Sequence, residues 1–175
     1  MPERAISMVD EEWLLQTLAV NTVGPGTTLP ALFKPCFFLY YLLNAAVLMA
    51  KALAPFMRTK GTDRPTAVIA NLSARVGSIG DNKLGGWYSY RMSKAALNQA
   101  TRTMAIELGR SGTMAVSLHP GTVDTGMSKP FSKNVKPDKL FTTAYSASCL
   151  LGIIDGLQIE DSGAFFGWDG QRIEW

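Results

Sequence analysis

The fold of this 175-residue chain is constrained most by its C-terminal part, where short apolar segments alternate with helix-like segments. Residues 66–73, 113–119 and 164–168 are short and apolar, and their composition favours strands. Between them, residues 88–110 and 144–157 are predicted helices, the first because its apolar side chains recur at helical spacing. This alternation predicts βαβ units, so we expect an α/β fold with a parallel sheet covered by helices.

Composition supports one globular domain over residues 1–175 and excludes several other classes of protein. Hydrophobic residues make up 47% of the chain and charged residues 18%, so the chain can bury a core and global disorder is excluded. Two cysteines, Cys36 and Cys149, are too few for a disulfide scaffold, and no Cys/His cluster suggests a metal site. The net charge of +3 comes from scattered basic residues, without the basic stripe of a nucleic-acid-binding protein.

The N-terminal part contains two helix-like segments. Residues 9–20 have apolar side chains at roughly helical spacing, and Pro30 and Pro35 prevent a helix from continuing through them. The apolar run 37–57 predicts a second helix.

This second helix could be mistaken for a membrane span. The uncharged stretch between Lys34 and Lys51 has 16 residues, fewer than the ~20 that a span needs. A buried or interfacial helix is therefore predicted, with a membrane-attached fragment as the alternative. Since the charged N-terminus lacks the apolar run of a secretory signal, the cytoplasm is the expected compartment.

Tyr90 and Lys94 are the residues that most suggest chemistry. They are four apart near the start of the predicted helix 88–110, so they share one helix face. A nearby ammonium group is expected to lower the pKa of a tyrosine phenol, and such a pair can act as a general acid and base. By itself the spacing is also common on helix surfaces, so the surrounding sequence has to decide between the two interpretations.

The surrounding sequence resembles the short-chain dehydrogenase/reductase family, and within it the carbonyl-reductase, C-factor-like branch. Three motifs carry the resemblance in order: ANLSARVGSIGDNKLGGWYSYRMSKAALNQ, LHPGTVDT and WDGQRIEW. The resemblance covers residues 66–175 clearly, and residues 9–25 resemble the helix that precedes the catalytic strand. It implies a doubly wound Rossmann-type fold and hydride transfer between NADP or NAD and a small carbonyl or alcohol substrate.

The resemblance also implies roles for individual residues. Tyr90 matches the proton donor to the carbonyl oxygen, and Lys94 matches the residue that binds the nicotinamide ribose. Asn21 matches the asparagine that holds a proton-relay water, although a polar residue on a helix surface is the alternative. The turn that meets the nicotinamide carboxamide is matched by Pro120, Gly121, Val123 and Thr125. Family enzymes often dimerise through the helices that carry Asn21 and Tyr90, so a homo-oligomer is possible.

The sequence departs from the family at its serine. The family's catalytic serine matches Ala74, where a hydroxyl would bond the substrate oxygen. Ser73 is one residue away, so on a strand its side chain is expected to point to the opposite face. Ser78, in the following loop, is the other candidate replacement.

Two further departures concern larger segments. The strand–GxxxGxG–helix motif that holds a pyrophosphate is not found, which predicts a partial sheet that lacks the N-terminal strands and weak cofactor binding. Residues 26–46 interrupt the helix that carries Asn21 and are predicted to be an insertion. Two hypotheses follow for function: an NAD(P)-dependent carbonyl reductase, or a truncated, catalytically silent relative that acts as an interaction module or is a mis-spliced product.

Overall fold

The computed structural model describes residues 46–57, 66–126, 128–129 and 135–175, and it confirms the predicted α/β class with a parallel sheet. The main sheet has the order β1-β2-β5, formed by β1 (Ala67–Leu72), β2 (Thr113–His119) and β5 (Phe165–Gly167). A small parallel sheet pairs β3 (Thr122–Val123) with β4 (Leu140–Phe141). The helices are α1 (46–53), α2 (Tyr88–Gly109) and α3 (Thr143–Gly156). Short 3-10 turns lie at Ala54–Phe56, Arg75–Gly77, Pro137–Lys139 and Ile159–Asp161.

The main sheet is parallel because a helix returns the chain between consecutive strands. α2 connects β1 to β2, whose register runs from the pair Ala67 and Thr113 to the pair Leu72 and Leu118. α3 lies between β2 and β5 in sequence, and β5 pairs in parallel with the last part of β2. Each strand therefore ends at the same edge of the sheet, where ligands bind in open α/β folds.

Two hydrophobic clusters cover opposite faces of β2, because successive strand side chains alternate between faces. Ala115 packs with Ala50 of α1 and with Met104 and Ala105 of α2. The neighbouring residue Val116 packs on the other face. Its cluster contains Leu118, Leu150 and Phe166, with partly buried Val68, Ile153, Ile154, Leu157 and Ala164 around it.

β1 is covered less completely than β2. Leu72 is 53% exposed, although its register partner Leu118 is only 2% exposed. Ala70 is also exposed, whereas its partner Val116 is fully buried. Ala70 and Leu72 lie on the face that α3 covers over β2. A parallel strand is normally buried on both faces, so this part of the sheet is incomplete within the described residues.

Some predictions fall outside the described residues. These are Asn21, the helix predicted over residues 9–20, and residues 26–45 of the predicted insertion. The predicted helix 37–57 is described only from residue 46 onward, where residues 46–53 are helical. None of the described helices has the length and apolar character needed to cross a membrane.

Candidate active site

The start of α2 is held in place by the glycine-rich loop before it. Gly85, Gly86 and Trp87 all have positive φ angles, of 65°, 63° and 56°. The Arg91 side chain, one turn into α2, donates hydrogen bonds to the carbonyl oxygens of Gly85, Gly86 and Val76. Glycine adopts this conformation at little cost, which explains two of the three positions. The loop and the guanidinium group together fix where the first turn of α2, with Tyr90, begins.

Tyr90 and Lys94 lie together at the carboxyl end of β1. Lys94 is 7% exposed, and its Nζ donates a hydrogen bond of 3.0 Å to the carbonyl oxygen of Leu72, the last residue of β1. The same Nζ lies 5.9 Å from the centre of the Tyr90 ring, within the range of a cation–π interaction. The structure thus brings this predicted pair together at the edge of the sheet where α/β folds bind ligands.

The ionisation of this pair differs from the sequence-based expectation. Burial raises the pKa of the Tyr90 phenol above its ordinary value, whereas the spacing predicted a lowered one. The reason is that the ammonium group lies over the ring and bonds a carbonyl oxygen, while the phenol itself is desolvated. Burial also lowers the pKa of Lys94, to about 8, so this group still carries its proton at neutral pH. Tyr90 is therefore a neutral phenol beside a cation.

Gly77 allows this approach of α2 to the loop after β1. A Cβ atom at Gly77 would lie 2.6 Å from the Lys94 Cβ and 2.7 Å from the Lys94 carbonyl carbon. The second of these atoms belongs to the backbone of α2, which cannot move without displacing the helix. A side chain at position 77 would therefore push Lys94 away from β1.

The two serines considered as replacements at Ala74 already have hydrogen-bond partners. The Ser73 hydroxyl donates to Asn98 Oδ1 of α2 at 2.6 Å. The Ser78 hydroxyl donates to the carbonyl oxygen of Glu174 at 2.5 Å and accepts from the backbone N–H of Asp81. Ala74 itself is 8% exposed and extended. In this conformation both serine hydroxyl protons are used within the protein.

The turn after β2 is held in place by two aromatic rings and by α3. Gly121 has a φ of 76°, and a Cβ atom there would lie 2.5 Å from the Phe141 ring and 3.0 Å from the Trp168 ring. These two rings make an edge contact with a centroid distance of 4.4 Å. The Ser146 hydroxyl of α3 donates to the carbonyl oxygen of Pro120 at 2.8 Å. The backbone at Pro120 and Gly121 is thus tightly constrained.

The rest of this predicted cofactor-binding turn is more open. Val123 is the second residue of β3 and pairs with Phe141. Thr125 is exposed, and its N–H and carbonyl oxygen bond the hydroxyl group of the buried Ser128. Lys94 bonds Leu72, which pairs with Leu118 two residues before Pro120, so the turn begins close to Lys94 and Tyr90.

His119 is a residue of this edge that the sequence reasoning did not select. It is the one histidine of the chain and the last residue of β2, directly before Pro120. Its Nδ1 atom is buried and has no hydrogen-bond partner in the structure. Burial and the nearby Arg75 guanidinium lower the pKa of His119 to about 4, against the opposing effect of the Asp169 and Asp81 carboxylates. Its position before a Pro-Gly turn at a strand end is the signal that could have identified it.

The groups present fit one end of a nicotinamide cofactor. Lys94 has a buried ammonium with three N–H donors, only one of which is used in its bond to Leu72, so ribose hydroxyls could accept from it. At Gly121, in the turn after β2, the missing side chain makes room for the Phe141 and Trp168 rings of the protein itself. The described residues do not include a glycine-rich turn between a strand and a helix ahead of β1. They therefore fit the nicotinamide end and not the pyrophosphate.

Comparison with known proteins decides the family. The family model described as short chain dehydrogenase matches residues 40–136. The C-signal protein of Myxococcus xanthus is 33% identical over 171 residues, which are 98% of this chain and 84% of that protein. The chain belongs to the short-chain dehydrogenase family. A second family member, 1-hydroxy-2-glutathionyl-2-methyl-3-butene dehydrogenase of a Rhodococcus strain, is 31% identical and is covered over 62% of its length.

Solved structures of the family agree and also show that this chain matches only part of them. The carbonyl reductase Sniffer of D. melanogaster aligns with a TM-score of 0.75 and 28% identity. An NADPH-bound carbonyl reductase from chicken fatty liver aligns with a TM-score of 0.72 and 26% identity. All of this chain is covered in both, but only 62% of each of those chains. The chain is thus a carbonyl-reductase-like member with a partial Rossmann-type fold.

Proposed function

We propose that this chain is an oxidoreductase that reduces a small carbonyl compound to an alcohol with a reduced nicotinamide cofactor. The observation that carries the proposal is the pair of half-buried Tyr90 and buried Lys94 at the carboxyl end of β1. Membership of the family and likeness to carbonyl reductases support the same reaction class. When bound, the cofactor supplies the hydride that adds to the carbonyl carbon.

The residues of this chain would supply the proton that the carbonyl oxygen of the substrate takes up. A carbonyl oxygen that gains charge needs a proton donor, and a neutral phenol with a raised pKa holds its proton until that charge develops. Tyr90 therefore donates its proton to the carbonyl oxygen, and the Lys94 ammonium stabilises the phenolate that remains. Lys94 also presents N–H donors toward the ribose, and Pro120 and Gly121 lie at the border of the nicotinamide ring. Val123 and Thr125 continue this turn, and Asn21 is proposed to hold the relay water.

The second candidate is a catalytically silent family member that acts through binding. It is favoured by the uncovered part of β1 and by the lack of a phosphate-binding turn among the described residues. A cofactor held at its nicotinamide end alone should bind weakly, because the pyrophosphate contacts at a helix N-terminus are missing.

Two experiments separate the two candidates. The first is calorimetric titration with NADPH and NADH, and the second is an activity assay at millimolar cofactor with a range of small ketones and aldehydes. We expect weak binding and slow reduction. Tyr90→Phe should lower kcat by about 100-fold or more, because it removes the proton donor, and should leave cofactor binding unchanged. Tyr88→Phe, two residues earlier on α2, is the matched control and should keep its activity. If the titrations show no heat of binding and the assay shows no turnover of any substrate, the catalytically silent candidate is established instead.

A further inference from the structure

Trp87, the residue directly before α2, breaks two rules of local structure. It is the N-cap of α2, with a φ of 56° and a ψ of 40°, and its side chain makes no capping hydrogen bond. Among the described residues it is the one residue other than glycine that has a positive φ. A bulky side chain is an outlier in this left-handed region, and the N-cap position favours serine, threonine, aspartate or asparagine. The indole therefore occupies a position where smaller residues would form the turn with less strain.

Neither the core nor the start of the helix explains the indole. Trp87 is half-buried, and it belongs to neither of the two hydrophobic clusters that cover β2. The start of α2 is fixed by backbone atoms and by Arg91, whose N–H bonds the Trp87 carbonyl oxygen at 2.8 Å and whose guanidinium group bonds Gly85, Gly86 and Val76. Strain of this kind, at a position that capping and core packing leave unexplained, is typical of a functional site.

The indole lies beside the phenol that is proposed to donate the proton. The ring centres of Trp87 and Tyr90 are 6.1 Å apart and their planes are inclined at 51°. Tyr90 is half-buried like Trp87, and the Lys94 Nζ lies 5.9 Å from its ring centre while it bonds β1. Tyr90 thus has two neighbours of opposite character: a cation held against the sheet, and a flat apolar ring one turn before it. A substrate whose carbonyl oxygen meets the phenol has this ring beside it.

We propose that Trp87 is a specificity-determining residue that receives the flat ring of an aryl ketone or aryl aldehyde while the carbonyl oxygen of the same molecule meets Tyr90. Aromatic rings attract one another in offset or edge-to-face arrangements at centroid distances of about 4.5–7 Å, so an aryl group fits against the indole. Its carbonyl carbon is bonded directly to that ring and stays beside the neighbouring phenol. This inference rests on the proposed function and narrows its substrate from small carbonyl compounds to aryl ones.

The first test compares the reduction of acetophenone and 2-butanone with NADPH. Trp87→Gly removes the indole and suits a positive φ, so the start of α2 is kept. Its kcat/KM for acetophenone should fall about tenfold, mostly through KM, and that for 2-butanone should change less than about twofold. Trp87→Phe should restore most of the preference. An equal loss for the two ketones would show that the indole only supports the helix, and would overturn the proposal.

The matched control lies on the same helix. Ile106 is 59% exposed and lies about four turns beyond Tyr90 on α2, so Ile106→Ala removes apolar surface far from the phenol. This variant should keep the wild-type ratio of the two kcat/KM values. A change in the ratio as large as that of Trp87→Gly would overturn the proposal, because the preference would then not depend on the indole beside Tyr90.

A binding experiment distinguishes failure of this inference from failure of the proposed reaction. In the NMR spectrum of the isotopically labelled whole chain, the indole N–H signal that disappears in Trp87→Phe belongs to Trp87. Acetophenone at millimolar concentration, with and without NADPH, should shift this signal, and 2-butanone should not. A shift without turnover supports the aryl subsite and counts against the reaction alone. Turnover of both ketones without a shift overturns the subsite alone, and acetophenone that neither shifts the signal nor is reduced overturns the subsite as well.

Discussion

Leu72 and Leu118 are the same residue type at paired positions of neighbouring strands, yet their environments are opposite. Leu118 is 2% exposed and lies inside a cluster with Val116, Leu150 and Phe166, whereas Leu72 is 53% exposed. Both segments have the composition of a buried parallel strand. The difference shows that the burial of a strand in such a sheet depends on its neighbours. Among the described residues β2 has a strand on each side and a helix on each face, whereas β1 has a strand on one side only and is incompletely covered on one face.

Truncation of the β2 leucine should have the largest effect on stability. Leu118→Ala removes a fully packed side chain and leaves a cavity between α3 and the sheet, which typically costs about 2–5 kcal/mol of unfolding free energy. Urea denaturation monitored by circular dichroism measures the loss. A loss below about 1 kcal/mol would mean that the cluster on this face collapses around the missing atoms.

Acid should destabilise the β2 end of the sheet through His119. Its pKa is lowered from 6.5 to about 4 in the folded chain, so the unfolded chain binds more protons between these values. Stability should therefore rise with pH from about 4 to 6.5, by at most about 3 kcal/mol, and reach its full value above 6.5. Urea denaturation at several pH values measures this slope, and His119→Asn should flatten it.

Lys94, whose ammonium group bonds the last residue of β1, is a second buried base, and its pKa lies at higher pH than that of His119. The pKa of Lys94 is lowered from 10.5 to about 8, so its burial costs stability below about 8 and this cost disappears toward 10.5. The His119→Asn variant should leave this alkaline slope unchanged, which provides the internal control. If the acid slope survives in the variant, carboxyl groups and not His119 cause it.

Truncation at the β1 leucine should have the smallest effect. Leu72→Ala removes a side chain that is already half in water, so we expect a loss below about 1 kcal/mol, several times less than for Leu118→Ala. The same denaturation experiment on both variants gives the ratio directly. Equal losses for the two leucines would show that β1 is buried in solution by a contact absent from the structure.

The sequence predicts the elements well because they depend on local pattern. The strand predicted over 113–119 is β2 itself, and the helix predicted over 88–110 differs from α2 by one residue at its C-terminal end. The two-residue strands β3 and β4 were not predicted, since so short a pairing has no periodicity. A partial sheet that lacks the N-terminal strands was predicted, but not that Ala70 and Leu72 are the positions left outside the core, because this depends on which elements lie over them.

The site was predictable to the extent that it depends on spacing. The i, i+4 relation brings Tyr90 and Lys94 together, but it does not tell where the ammonium group points. Its bond to Leu72 and the burial of the phenol depend on β1, which is distant in sequence, and together they reverse the expected direction of the Tyr90 pKa. The partner of Ser78 is likewise remote, since Glu174 lies at the other end of the described chain.

The parallel order of the main sheet also has a kinetic consequence. β1 and β2 pair across α2, and β2 and β5 pair across α3, so every strand contact of this sheet closes a long loop. Sheets built from such distant pairings fold slowly, because the entropy of loop closure is lost before the contacts form. β2 is shared by both pairings, so neither pairing can form without it. During that delay the uncharged β1 edge is available to other chains, so refolding yield should fall as protein concentration rises.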